Sequence, residues 1–178
     1  MKTHADSATQ KLRHLVWAAL SAAAIAVTTA YILHIPLPTG GYVHLGDALI
    51  YLCACLLPTP WAVAAGAVGA GLADLLTAPM WVLPTVIVKS LICLSFAGKR
   101  GKILCPRNIV AVFIAGLLSP TLYGIANIVM AGTVTAFVPQ FMGTLVQSVA
   151  SGVIFAVIAF TADRLHLKHR LQIRETTR

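Results

Sequence analysis

The stretch Ile109-Val-Ala-Val-Phe-Ile-Ala-Gly-Leu-Leu-Ser-Pro-Thr-Leu-Tyr-Gly-Ile-Ala-Asn-Ile-Val-Met130 decides the class of fold. It runs for 22 residues without a single charge. A hydrocarbon core of about 30 Å is crossed by about 20 apolar residues rising about 1.5 Å each. The stretch therefore reads as a membrane-spanning helix. Working outward, similar runs precede it at about Leu15–Leu33, Leu45–Leu57, Trp61–Leu76 and Trp81–Phe96, and one follows at about Phe141–Ala162. Proline and glycine punctuate the joins: Pro36, Pro38, Gly40 and Gly41, then Pro58 and Pro60, Pro79, Gly98, Gly101 and Pro106, and last Gly132 and Pro139. Runs two to four are short for lipid-facing helices, so tilt or shelter by neighbours is expected.

Composition agrees. The 178 residues are 58% hydrophobic and 10% charged, against about a quarter charged in a soluble domain. One core of this size cannot hide that much apolar surface. A soluble enzyme, a disordered chain and a nucleic-acid-binding domain are excluded as readings. The net charge of +8 belongs to the ends of the spans. Lys2, Lys11 and Arg13 precede run one; Lys99, Arg100, Lys102 and Arg107 separate runs four and five; Arg164, Lys168, Arg170, Arg174 and Arg178 follow run six. Six spans put all three groups on one side, which the positive-inside rule makes cytoplasmic. The expectation is an all-α membrane protein of the plasma membrane, a multi-pass bundle of six transmembrane helices with both termini cytoplasmic. Residues 1–14 form a tail, 15–162 the bundle, and 163–178 a basic tail suited to anionic lipid. Run one reads as an uncleaved anchor, since it exceeds a signal-peptide core and five spans follow.

Three ionisable residues lie within the runs: Asp47, Asp74 and Lys89. Each costs roughly 2.5–3.5 kcal/mol at a helix centre, so each is expected to face the bundle interior, water or another of the three. Asp74 is about 13 residues into a span that starts inside, about 20 Å of rise. Lys89 is about 12 Å from the outer end of its own span. Asp47, Tyr123, Asn127, Gln140 and Gln147 fall in the same outer layer, with Tyr42 and His44 in the adjoining loop and Trp81 at the interface. The expected site is a small-molecule pocket open to the outside, against the plainer alternative of interhelical glue.

Run one carries a ladder of small residues, Ala18, Ala22, Ala26 and Ala30, beside a second row at Ala19 and Ala23. Either row admits close approach of another helix, inside the bundle or outside it. There is no P-loop, no His-Glu-x-x-His and no Gly-x-Ser-x-Gly. Cys53, Cys55, Cys93 and Cys105 lack the spacing or the histidines of a metal site and read as buried thiols. A stand-alone carrier or channel, a membrane enzyme using Asp47, Asp74 and Lys89, and an assembly subunit without a ligand remain as rivals.

Certain segments resemble the substrate-binding (S) components of energy-coupling factor (ECF) transporters. They are the alanine ladder, Tyr42-Val-His-Leu-Gly-Asp-Ala-Leu-Ile-Tyr-Leu, Gly69-Ala-Gly-Leu-Ala-Asp-Leu-Leu and Pro84-Thr-Val-Ile-Val-Lys. The resemblance covers nearly the whole chain. It implies high-affinity binding of a vitamin-like micronutrient from outside, with a queuosine precursor, pyridoxine or a thiamine precursor as the nearest ligands. It implies docking by helix one, at Ala18/Ala22 with Ala26 in the same row, or in the alternative register Ala19/Ala23, onto a membrane scaffold subunit. It implies that two ATP-binding cassette subunits hydrolyse the ATP, with no cofactor and no nucleic acid bound by this chain. It also implies a gating loop from His34 to His44, and a pocket drawn from Lys89, Tyr123, Asn127, Gln140 and Gln147 with Asp47 and Asp74 adjoining.

Overall fold

The computed structural model describes residues 4–32, 35–36, 42–96, 101–166 and 168. Six α-helices are found among them: α1 His4–Tyr31, α2 Gly46–Leu56, α3 Thr59–Thr77, α4 Val82–Ser95, α5 Pro106–Ala131 and α6 Phe137–Arg164. Four segments are long and apolar enough to cross a membrane: Ala8–Tyr31, Thr59–Thr77, Pro106–Ala131 and Val134–Arg164. Gly46–Leu56 and Pro79–Ser95 are apolar but shorter. The helices start where the chain makes starting cheap. Pro stands in the first turn of α3 and α5, where its missing N–H costs nothing. Helix α5 stops at Gly132, whose φ of +69° is the left-handed conformation glycine takes without strain. Helix α1 begins at His4, so residues expected as an N-terminal tail are helical. Lys2, Lys99, Arg100, Arg170, Arg174 and Arg178 lie outside the described residues.

The neighbours run α1 on α3, α3 on α4, α4 on α5 and α5 on α6, with α2 touching α1, α3, α4 and α6. Helix α2 is therefore the enclosed one, and eight of its eleven residues are buried. Its shortness follows: packed helices, rather than lipid, surround it. Helices α1 and α3 approach at backbone distance. A Cβ at Gly69 would stand 2.6 Å from the Ala22 carbonyl oxygen and 2.9 Å from Ile25 Cβ. Only glycine fits that crossing.

One end of the bundle carries a two-stranded antiparallel hairpin, β1 Ile35–Pro36 and β2 Tyr42–Val43, paired Ile35 to Val43 and Pro36 to Tyr42. At the other end the Asp163 carboxylate accepts from the Ile103 and Leu104 N–H groups, both at 2.8 Å. Asn108 Nδ2 donates to the Ile103 carbonyl at 2.8 Å. These bonds tie the α4–α5 connection to the end of α6. Between the ends, Tyr51 stacks on Phe96 at 5.0 Å between centroids, and Phe155 meets both edge-on at 5.8 and 5.9 Å.

Candidate functional site

Helix periodicity brings the polar residues together. Gln140, Thr144 and Gln147 stand at i, i+4 and i+7 on the buried face of α6, so their side chains fall in one row. Thr85 lies one turn beyond Trp81, at the start of α4. Tyr123 is buried on α5, and Asp74 is buried near the end of α3. Together with His44, just before α2, these eight residues line a cavity of about 310 Å3, its open mouth included, at the hairpin end.

The wall is partly pre-set. Thr85 Oγ1 and Tyr123 Oη share a hydrogen bond of 2.7 Å, and the Trp81 and Tyr123 rings sit 5.7 Å apart. Gln140 Nε2 donates to Thr144 Oγ1 at 3.2 Å. The Trp81 indole N–H is buried and meets no acceptor among the described residues. A buried donor without a partner is costly, so an acceptor on a bound molecule would lower its energy.

Beneath the wall lies an ion pair. Lys89 Nζ is 2.7 Å from Asp47 Oδ1, and both side chains are essentially fully buried. Gln147 Nε2 donates to the second carboxylate oxygen, Asp47 Oδ2, at 3.0 Å. Gln147 also meets His44: the His44 N–H points at Gln147 Oε1 at 3.4 Å, and the two Nε2 atoms stand 3.3 Å apart. His44 Nδ1 in turn accepts from the Gly46 N–H at 3.0 Å. On the other flank, Lys89 Nζ lies 5.1 Å from the Tyr123 ring centroid, within cation–π range. The chain His44–Gln147–Asp47–Lys89–Tyr123–Thr85 thus links α2, α4, α5 and α6 beneath one cavity.

Of the residues expected from the sequence, Asp74, Trp81, Tyr123, Gln140, Gln147 and His44 come together on the wall. Lys89 and Asp47 form the floor and neutralise each other rather than lining the cavity. The partner of Lys89 is Asp47, a pairing that depth in the membrane leaves undetermined. Asn127 is not on the wall; its Nδ2 caps the turn after α5 by donating to the Ala136 carbonyl at 2.9 Å. The Tyr42 backbone pairs in β2, while its side chain, His34 and most of the expected gating loop lie outside the described residues. Thr85 and Thr144 were not expected. Their signal was the i, i+4 spacing from Trp81 and Gln140.

The two alanine rows separate clearly. Ala18, Ala22 and Ala30 are buried, with Ala22 packed on Gly69 of α3. Ala26 is half-buried. A partner helix at Ala18/Ala22 would have to part α1 from α3. Ala19 and Ala23 are exposed, flanked by exposed Val16, Leu20 and Val27.

A family model described as "ECF-type riboflavin transporter, S component" matches residues 9–163. The chain is also 40% identical over 67 residues to a Pyrococcus woesei protein described as "Uncharacterized protein in gap 3'region". That match takes in 37% of this chain and 45% of the relative, so it spans less than half of the relative's length.

Proposed function

We propose a function from one premise: the chain belongs to the family of ECF-type riboflavin transporter S components, and so is a transporter's substrate-binding component and not an enzyme. On our reading it captures a planar nitrogen heterocycle of vitamin type at the hairpin end and delivers it into the cell. The observation that carries this reading is the cavity itself. Trp81 and Tyr123 offer ring faces, and Thr85, Gln140, Thr144, Gln147 and His44 offer converging donors and acceptors. Flat apolar faces with a few placed polar groups suit a heteroaromatic ring. Riboflavin, for which the family is named, heads the ligands to be tested, beside a queuosine precursor, pyridoxine and a thiamine precursor.

The six helices all span the plasma membrane on this reading, α2 and α4 within the shelter of their neighbours. The hairpin end faces outward, and both termini lie in the cytoplasm with Lys11, Arg13, Lys102, Arg107 and Arg164. Transport requires a membrane scaffold subunit and two ATP-binding cassette subunits, which hydrolyse the ATP. The scaffold docks on the exposed Ala19/Ala23 row of α1, where small side chains between Val16, Leu20 and Val27 let a helix approach.

The test is mass spectrometry of small molecules released from the full chain, purified in mild detergent after growth in rich medium. One equivalent of a heterocyclic compound is expected, with less retained by the Trp81→Ala variant. Undiminished retention by that variant would take Trp81 off the wall. If the chain is empty and no vitamin of the panel quenches Trp81 fluorescence at saturating concentration, the reading fails.

A further inference from the structure

The charges around the cavity carry a second conclusion, which rests on the ligand-binding reading above. We infer that the site accepts the uncharged heterocycle and rejects the anionic forms of the same compounds, above all their phosphate esters.

The argument begins with what the sequence withholds. Between Arg13 and Lys99 the chain has one basic residue of the Lys or Arg type, Lys89, and between Arg107 and Arg164 it has none. The hairpin residues outside the described set, 33–34 and 37–41, contribute neither Lys nor Arg, and one histidine, His34. Among the described residues, Lys89 is therefore the one Lys or Arg in the hairpin half of the bundle. It is already committed, with its Nζ 2.7 Å from Asp47 Oδ1 and no part in the wall. His44 does not replace it. Its Nδ1 accepts from Gly46 N–H, so that nitrogen has no proton to offer a ligand. An anion entering this cavity would shed hydration and find no Lys or Arg on the described wall. A neutral ring meets amides and hydroxyls instead.

The experiment titrates the purified full chain, by Trp fluorescence or calorimetry, with riboflavin, pyridoxine and thiamine. Each is paired with its phosphate monoester and with its acetyl ester, which adds bulk at the same oxygen without the charge. The free compound that binds should do so about a hundredfold more tightly than its phosphate ester, and the acetyl ester should fall within about tenfold of the free compound. If the phosphate ester binds as tightly as the free compound, the charge rule is overturned and the ligand reading stands. If the acetyl ester is rejected as strongly as the phosphate, size and not charge decides, and the rule is again overturned. If no free compound or ester in the panel binds, and a queuosine precursor does not bind either, the ligand reading fails and takes this inference with it. The Asp47→Asn variant adds a second check, because it leaves the Lys89 charge uncompensated. The preference for the free compound should shrink at least tenfold there, and an unchanged preference would argue against charge as its source.

Discussion

Removing Lys89 tests the architecture of the floor. Lys89→Met keeps most of the stem and deletes the charge. Asp47 then retains the Gln147 Nε2 donor at 3.0 Å and its place in the first turn of α2, where the helix dipole favours a carboxylate. It loses its ion-pair partner, the Lys89 Nζ at 2.7 Å. Breaking a buried ion pair by removing one partner costs about 3–5 kcal/mol. The remaining donor and the dipole set the expectation at the lower end, about 3 kcal/mol. For a chain of this size that is a fall in Tm of about 6–12 °C. All four cysteines are buried, so a thiol-reactive dye reads the unfolding of the purified chain in detergent directly. The double variant Asp47→Asn/Lys89→Met removes both charges and keeps a carbonyl for Gln147 to donate to. It should recover most of the lost Tm and keep ligand affinity within about tenfold of wild type. A single variant that melts within 2 °C of wild type would refute the buried-pair account. So would a double variant no better than the single. If the double variant regains stability but not binding, Lys89 touches the ligand and belongs to the wall.

Three further outcomes follow from the geometry. Ala23→Leu should block co-purification with the scaffold subunit and leave ligand binding unchanged, because Ala23 faces outward; equal recovery of the complex would remove the docking assignment. Trp81→Ala should weaken ligand binding about tenfold to a hundredfold, the worth of one aromatic face with its donor, while Trp81→Phe loses less; unaltered affinity in titration would take Trp81 off the wall. Asp163→Ala should cost about 2–3 kcal/mol, since it leaves the Ile103 and Leu104 N–H groups without their carboxylate; a Tm unchanged in the dye assay would show that water serves them as well.

The layering of the site was legible in the sequence because depth is one-dimensional. Counting residues from a span's end at about 1.5 Å each places Asp74, Lys89, Tyr123 and Gln147 at one level, and the structure gathers them there. Azimuth is different. Whether Lys89 meets Asp47 or Asp74 depends on which helices are neighbours and how each is rotated, and a lone span's composition contains neither. The threonines were missed for a related reason. A threonine in a membrane helix commonly bonds back to its own backbone, as Thr121 Oγ1 does to the Leu117 carbonyl at 2.7 Å. Only the partner tells Thr85, bonded to Tyr123, from Thr121. Asn127 shows the converse, since a polar residue at pocket depth is spent on holding the turn after α5.

The alanine rows show how far spacing can lead. Ala18/Ala22 and Ala19/Ala23 have identical four-residue spacing, and a shift of one residue turns the row by about 100° around the helix. Nothing within α1 distinguishes them. The distinction is written in α3, where Gly69 is the one residue small enough to admit the Ala22 carbonyl oxygen at its would-be Cβ. Once that contact forms, Ala22 is consumed by the chain's own bundle, and any outside helix is left the neighbouring row. The small residues of α1 therefore serve two partners on adjacent faces, α3 within the bundle and, on the proposed reading, the scaffold outside it. A bulky side chain at Ala22 should then disturb folding, and one at Ala23 assembly. The two failures separate in one experiment, because the first lowers the Tm of the isolated chain and the second does not.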